Sequence, residues 1–178
     1  MPASGRSSRT WGWHRLADEW AARVVAAAVV RPGELVLDIG AGTGALTGPL
    51  VRAGARVVAV ELHPGRSELL RQRFPQITVL EADAVSLRLP SRPFRVVASP
   101  PYGITADLLD LLLAAGSRLV AADLVLQRAV VRKYADRRGP GPARRARAHR
   151  MSTGLVLPRH AFRPQPRVDS AVLVVRRR

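Results

Sequence analysis

Two short segments of this 178-residue chain have the residue types and spacing of a binding site for a nucleotide-like molecule. Residues 38–44 read Asp-Ile-Gly-Ala-Gly-Thr-Gly, and glycines at alternate positions let the backbone approach a ligand closely. Residues 99–102 read Ser-Pro-Pro-Tyr. Consecutive prolines fix the backbone and leave carbonyl oxygens as acceptors, while a tyrosine ring can stack on a planar group. Together the two segments predict methyl transfer to a nitrogen.

Two acidic side chains extend this predicted site. Glu61 ends a β-branched run, where a carboxylate can bind the ribose hydroxyls of either NAD or S-adenosylmethionine. Asp83 follows the next such run and can accept a hydrogen bond from an adenine amino group. The glycine loop by itself also fits the relaxed dinucleotide fingerprint. An NAD enzyme is the weakest alternative, because it does not account for the Ser-Pro-Pro-Tyr segment.

The elements that position these residues alternate between β-branched runs and helical stretches, which indicates an α/β fold. Strands are predicted over residues 35–39, 56–61, 77–80, 94–98, 119–126 and 170–175. Helices are predicted over residues 18–30, 45–53, 64–74 and 105–115. Nearly continuous apolar strands predict a mostly parallel central sheet with helices on both faces. Because parallel strands end at the same edge of a sheet, all the segments above should face one crevice.

The composition limits the class of protein. The chain has no cysteine and four scattered histidines, so we expect neither disulfides nor a metal site. The first thirty residues lack the pattern of a signal peptide, and the apolar run 26–30 is too short to span a membrane. We therefore expect a cytoplasmic monomer without membrane contact, folded as a single catalytic domain over residues 1–178.

The net charge of +16 is concentrated in the last third of the chain. Residues 126–178 carry 15 Arg or Lys against two acidic residues, a balance that favours a polyanionic partner such as nucleic acid. The basic segment 128–150 contains a Gly-Pro-Gly-Pro break and is predicted to be a phosphate-binding arm. Its predicted contact residues are Arg128, Arg132, Lys133, Arg144, Arg145, Arg147 and Arg150.

Five segments taken together resemble the Erm and dimethyladenosine transferase family of ribosomal RNA adenine N6-methyltransferases. They are residues 37–47, 60–61, 81–84, 99–102 and 162–172. The last, Phe-Arg-Pro-Gln-Pro-Arg-Val-Asp-Ser-Ala-Val, is similar to the family's signature before the final strand and is the most specific of the five. The resemblance implies a Rossmann-like S-adenosylmethionine-dependent methyltransferase fold.

The resemblance also implies a reaction and its residues. The reaction is methylation of the N6 amine of an adenine in 23S ribosomal RNA, before or during ribosome assembly. This methylation confers resistance to macrolide, lincosamide and streptogramin antibiotics. Tyr102 would stack on the adenine with Phe162 on its other face, and Ser99 and Pro100 would supply acceptors for the amine. The implied cofactor residues are His14, Asp38, Gly40, Gly42, Gly44, Glu61, Asp83 and Ser99.

The chain departs from the family pattern in three places. Ser99 stands where the family usually has Asn or Asp, and a hydroxyl is shorter than either side chain. Residues 12–16, Gly-Trp-His-Arg-Leu, stand where the family more often shows a Gln-Asn-Phe-Leu type of sequence.

The third departure concerns how RNA is held. Family members usually continue into a C-terminal helical domain, whereas we expect no separate RNA-binding domain here and assign that role to segment 128–150. Two other functions stay open on the same fold: a protein arginine methyltransferase, and an RNA-binding module without catalysis.

Overall fold

The computed structural model describes residues 13–136 and 148–178. The described strands are Arg15–Leu16 (β1), Leu35–Ile39 (β2), Arg56–Glu61 (β3), Thr78–Glu81 (β4), Phe94–Ala98 (β5), Leu119–Gln127 (β6), His149–Leu157 (β7), Phe162–Arg163 (β8) and Ser170–Arg177 (β9). The helices are Asp18–Ala28 (α1), Thr47–Arg52 (α2), Pro64–Arg73 (α3), Thr105–Leu112 (α4) and Arg128–Ala135 (α5).

The main sheet has seven strands in the order β4-β3-β2-β5-β6-β9-β7. The five strands from β4 to β6 are parallel, and β9 runs antiparallel between β6 and β7. Strands β3 and β4 follow one another on one side of β2, and the chain then crosses over so that β5 lies on the other side of β2. This reversal opens a crevice beyond the carboxyl ends of β2 and β5, the usual ligand position in such sheets.

Helices cover both faces of the sheet, and alternate strand residues point into two separate apolar layers. Val36 and Val97 pack with α1 and α2 in one layer. Leu37 and Val96 pack with α4 and α5 in the other. All four side chains are at most 2% exposed. The predicted α/β class and mostly parallel sheet are confirmed.

Several features differ from the sequence prediction, among them the end of helix α4, which stops at Leu112, three residues before its predicted end. Helix α1 ends at Ala28, two residues earlier than predicted, because Val29 adopts a left-handed conformation with φ of 51°. The pair β1 and β8 and the strand β7 were not predicted. The segment predicted as a basic arm begins with helix α5 and ends in β7, while its Gly-Pro-Gly-Pro break lies outside the described residues.

Candidate active site

The two motif loops touch each other at the carboxyl edge of the sheet. The glycine loop follows β2 and the Ser99–Tyr102 loop follows β5, its neighbour in the sheet. A Cβ atom on Gly40 would lie 3.2 Å from Pro101 Cδ and 3.3 Å from Pro100 Cα, and Gly40 has φ of +75°. Only glycine accepts both the conformation and the close approach. A ligand on the glycine loop is therefore next to a ligand on the proline loop.

The other two predicted glycines have different neighbours. A Cβ on Gly42 would lie 2.8 Å from the indole Nε1 of Trp13, on the crevice side of the loop. A Cβ on Gly44 would lie 2.6 Å from the ring of Phe74, next to the end of α3. Gly42 therefore lies in the crevice wall, whereas Gly44 lets the loop pack against Phe74.

Glu61 reaches from the end of β3 to the glycine loop. Its side chain is only 5% exposed. Oε2 accepts a hydrogen bond from the backbone N–H of Gly42 at 2.8 Å, and Oε1 accepts one from the backbone N–H of His63 at 3.0 Å. Nη1 of Arg66 lies 3.5 Å from Oε1. The carboxylate is thus fixed against the glycine loop, and its role toward a ribose stays a prediction.

Asp38 is buried beneath the loop and ties it to helix α2. Its Oδ2 accepts a hydrogen bond of 2.6 Å from the hydroxyl of Thr47. The pKa of Asp38 is raised to about 7, chiefly by burial; the Thr47 hydrogen bond acts in the opposite direction, and the nearby charge of Glu61 adds to the increase. With 1% exposure, Asp38 supports the loop from below.

This raised pKa predicts a pH dependence of stability. The folded carboxyl binds its proton up to about pH 7, whereas an aspartate in the unfolded chain releases it near 3.8. The folded state therefore holds more protons than the unfolded state in this window. The contribution of Asp38 to the free energy of unfolding falls as the pH rises from about 4 to about 7. We expect Asp38→Asn to remove this contribution. Urea denaturation should show a smaller loss of unfolding free energy between pH 5 and 8 for the variant than for the wild type; parallel profiles would contradict the assignment.

Asp83 lies at the same edge, after β4. Strand β4 pairs with β3 so that Glu81 is opposite Glu61. Oδ1 of Asp83 accepts a hydrogen bond of 3.1 Å from the backbone N–H of Val85, within the 3-10 turn Ala84–Ser86 that follows Asp83. The side chain is exposed. Asp83 is therefore a cap for this turn, and its role toward an adenine stays a prediction.

Tyr102 is held in place by a residue that the motif analysis did not single out. Its hydroxyl and the hydroxyl of Ser170 form a hydrogen bond of 2.8 Å, and Ser170, the first residue of β9, is fully buried. Burial raises the pKa of Tyr102, and the Ser170 hydrogen bond partly offsets this. Ser170 belongs to the Phe162–Val172 segment, so this segment fixes the tyrosine of a distant motif.

Phe162 and His14 flank the same region from the short β1–β8 pair. Phe162 lies opposite Leu16 in that pair and is 1% exposed, with its ring in the apolar layer beside α1. The imidazole of His14 stacks on the ring of Tyr102, with centroids 6.2 Å apart and 25° between the planes. Nδ1 of His14 is 2.7 Å from the carbonyl oxygen of Pro164 and donates to it. The predicted roles of Phe162 toward the base and His14 toward the cofactor stay predictions.

Trp13 contributes to the crevice although no motif identified it. Its indole lies beside Gly42, and the guanidinium of Arg66 lies 4.5 Å from the ring centroid. The cavity that remains between Trp13, Ser99 and the glycine loop measures about 20 Å³. A cofactor of nucleoside size therefore needs the indole to move. Its position in the unusual 12–16 segment was a sequence signal that could have found it.

The predicted phosphate-binding residues divide into two groups. Arg128, Arg132 and Lys133 are exposed on α5, and Arg150 is exposed on β7, against which α5 packs. Within residues 13–136 and 148–178, none of these four has an ion-pair partner. The other three predicted residues, Arg144, Arg145 and Arg147, lie outside the described residues.

Comparison with known proteins decides the family. The model of the ribosomal RNA adenine dimethylase family matches residues 16–178. The chain belongs to this family. It is 39% identical to an rRNA methyltransferase of Streptomyces thermotolerans, over 98% of this chain and 62% of that protein. It is 37% identical to the ribosomal RNA small subunit methyltransferase A of Thermosynechococcus vestitus, over 96% of this chain and 70% of that protein.

A solved structure gives the same result. The 23S rRNA methyltransferase ErmE superposes with a TM-score of 0.81 at 33% identity, covering 92% of this chain and 69% of that one. The chain thus spans between 62% and 70% of the length of these three relatives. The predicted family and the Rossmann-like methyltransferase fold are confirmed.

Two further findings concern the described residues alone. No helix among them is long and apolar enough to cross a membrane. Nor do three or more of their His, Asp or Glu side chains come together where a metal ion could be held.

Proposed function

We propose that this protein transfers a methyl group from S-adenosylmethionine to the N6 amine of an adenine in 23S ribosomal RNA. We further propose that it acts as a monomer in the cytoplasm and protects ribosomes from macrolide, lincosamide and streptogramin antibiotics. The observation that carries the proposal is the close approach of Gly40 to the backbone of Pro100 and the ring of Pro101. It supports the proposal because it brings the glycine loop, proposed to hold the cofactor, beside the loop that carries Tyr102, proposed to stack on the base.

The residues of the crevice fit S-adenosylmethionine. Once the Trp13 indole moves away from Gly42, the side-chain-free loop lets a ligand approach its backbone, and Glu61 provides a nearly buried carboxylate beside it. In the proposed complex Glu61 accepts hydrogen bonds from the ribose hydroxyls, and Asp83 accepts one from the adenine amine. When bound, the cofactor supplies an electrophilic methyl group.

The remaining chemistry belongs to residues of the Ser99–Tyr102 loop. A target adenine inside a helix has to be unstacked before it can enter the crevice. Tyr102 then stacks on the base, while the Ser99 hydroxyl and the Pro100 carbonyl accept hydrogen bonds from its amine. The amine nitrogen would attack the methyl carbon in line while the bond from that carbon to the sulfonium sulfur breaks, so that a neutral thioether leaves. The proton lost by the nitrogen would pass to solvent, and no covalent intermediate with the protein would form. Catalysis therefore rests mainly on positioning and on the exclusion of water.

Similarity supports ribosomal RNA as substrate but favours two different targets. The match to the 23S enzyme ErmE supports the proposal. The 37% identity to a small-subunit methyltransferase favours an adenine of 16S ribosomal RNA instead. We retain the small-subunit target as the second candidate function.

The proposal is tested by incubating the protein with radiolabelled S-adenosylmethionine and separate pools of naked 23S RNA, naked 16S RNA, assembled subunits and basic proteins. We expect label in naked 23S RNA and little in assembled subunits. Label in 16S RNA alone would establish the second candidate, and label in basic proteins alone would establish a protein methyltransferase. Expression in a sensitive bacterium should raise the inhibitory concentration of a macrolide.

We expect the basic face of α5 to bind RNA phosphates. Reversal of Arg128, Arg132 and Lys133 to glutamate should weaken RNA binding, and the slope of log affinity against log salt concentration should fall by about 2. The matched control reverses Arg56, Arg92 and Arg118, which are exposed at the opposite edge of the sheet, and makes the same change in net charge. Filter binding over a salt series measures both. Equal losses in the two triple variants would show a general charge effect and remove α5 from the RNA surface.

A further inference from the structure

A second basic surface joins the first turns of α1 to the 3-10 turn that precedes β8, and we call it the α1 surface. It consists of Trp20, Arg23, Arg159, His160 and Arg163. The backbone N–H of Ala17, at the start of α1, donates a hydrogen bond of 2.8 Å to the carbonyl oxygen of Ala161, at the end of that turn. The two parts of the surface are therefore held together by the framework.

Arg23 is held by an aromatic ring and not by an acid. Its guanidinium lies 4.2 Å from the centroid of the Trp20 ring, and the His160 ring meets the same indole edge-on, with centroids 6.1 Å apart. In the described part of the chain, the exposed Arg23 side chain has no hydrogen bond or ion pair, although Glu19 lies one helical turn before it. A guanidinium stacked on an aromatic face keeps its N–H donors available for a phosphate.

Two further arginines of the α1 surface lack a counter-charge. Arg163 lies directly opposite Arg15 in the β1–β8 pair, and like charges in that position destabilise paired strands. Arg15 is neutralised by an ion pair of 2.8 Å with Asp18, whereas Arg163 has no ion pair among residues 13–136 and 148–178. Arg159 contacts Asp169 through its backbone N–H at 3.1 Å, but its exposed side chain has no such partner within those ranges. Unpaired guanidinium groups on one surface favour a polyanionic ligand.

The α1 surface borders the crevice on the side opposite α5. Arg15, which lines the crevice together with Ser99, belongs to β1, and α1 begins directly after that strand. Helix α1 packs on one face of the sheet, with Val36 and Val97, and α5 packs on the other face. Because α5 begins directly after β6, it also starts at the carboxyl edge. An RNA strand that contacts both helices therefore has to cross this edge, where the target base would enter.

We propose that the α1 surface binds phosphates of the RNA strand on one side of the target adenine, while α5 binds phosphates on the other side. Arg23, Arg159 and Arg163 contact the phosphate oxygens, and Trp20 is a positioning residue that holds Arg23. Phosphate contacts fix the register of a nucleic acid on its protein without reading its sequence. The inference rests on the proposed function, since it takes RNA as the partner of the crevice.

A conservative pair of variants tests the link between Arg23 and Trp20. Arg23→Lys keeps the charge but removes the planar guanidinium, and Trp20→Leu keeps an apolar side chain against the core but removes the aromatic face. Each should lower the affinity for naked 23S RNA by about two- to fivefold. The double variant should lose little more than either single variant, because both changes remove the same contact. Additive losses, or full affinity in Arg23→Lys, would contradict the positioning role of Trp20.

The main test reverses Arg23, Arg159 and Arg163 to glutamate and measures filter binding of naked 23S RNA over a salt series. The slope of log affinity against log salt concentration should fall by about 2, and by about 4 when the α5 reversals are added, because the two surfaces contact different phosphates. The triple reversal at the opposite edge of the sheet, described above, is the matched control for net charge. A loss no larger than that of the control overturns the proposal.

These binding measurements do not require methyl transfer, so they separate the surface from the proposed function. A wild type that methylates no RNA, but whose RNA affinity depends on the α1 surface more than on the control, refutes the proposed function and leaves the surface supported. A wild type that methylates 23S RNA, with the same RNA affinity in the α1-surface variant as in the control, overturns the surface and leaves the proposed function supported.

Discussion

Tyr102→Ala is expected to lower the rate of RNA methylation by about 100-fold or more while the affinity for S-adenosylmethionine changes little. Stacking of a base on an aromatic side chain contributes roughly 1–3 kcal/mol, and each 1.36 kcal/mol changes a rate tenfold. Removal of the ring also leaves the amine free to turn away from Ser99 and Pro100, which adds a loss of positioning. Single-turnover transfer of labelled methyl and calorimetric titration of the cofactor measure the two quantities separately.

Tyr102→Phe is the matched control for this prediction. It keeps the ring and removes only the hydroxyl that is bonded to Ser170. Because the buried Ser170 hydroxyl then lacks this partner, we expect a moderate loss of activity, about 10-fold, with the same cofactor affinity. Full activity in the alanine variant would remove Tyr102 from the site, and equal losses in both variants would shift the role from the ring to the hydroxyl.

Gly40→Ala is expected to impair cofactor binding and methyl transfer together. A Cβ at this position meets the backbone of Pro100 at 3.3 Å and the ring of Pro101 at 3.2 Å, so the two loops have to move apart by a few tenths of an ångström. The positive φ adds roughly 1–2 kcal/mol of strain. We expect the Kd for S-adenosylmethionine to rise at least about 10-fold and kcat/KM for RNA to fall by about 100-fold, because small misplacements of reacting groups are costly.

Gly116→Ala separates the effect of backbone strain from the effect of the contact between the two loops. Gly116 has φ of +85°, close to that of Gly40, but a Cβ there would meet nothing within 4 Å. Both variants should therefore lose a similar amount of thermal stability from strain, while only Gly40→Ala loses cofactor affinity. If Gly116→Ala weakens cofactor binding to the same extent, strain alone accounts for the effect and the loop contact has no special role.

The parts of the fold that sequence predicted well are those that local patterns specify. Strands β2, β3 and β5 match their predicted bounds because each is a compact β-branched or apolar run, and period and composition mark such runs clearly. The glycine loop and the Ser99–Tyr102 loop were placed in one crevice because parallel strands end at one edge. These rules need no knowledge of distant contacts.

The features that sequence missed depend on pairings between distant parts of the chain. Strands β1 and β8 have two residues each, too few for a period, and they pair across about 150 positions. Strand β7 includes exposed polar residues because it is an edge strand. Ser170 was visible only as one letter of a signature, and its bond to Tyr102 links residues 68 positions apart. Trp13 and His14 reach the crevice through the same β1–β8 pair, so their positions followed from tertiary structure alone.

The most direct test of the central claim is identification of the methylated nucleoside. Ribosomal RNA labelled by the wild-type protein is digested to nucleosides and analysed by mass spectrometry, with Tyr102→Ala as the matched negative control. We predict N6-methylated adenosine in 23S RNA from the wild type and almost none from the variant. A methyl group found on a ribose hydroxyl, on a ring carbon or on a base other than adenine would contradict the account.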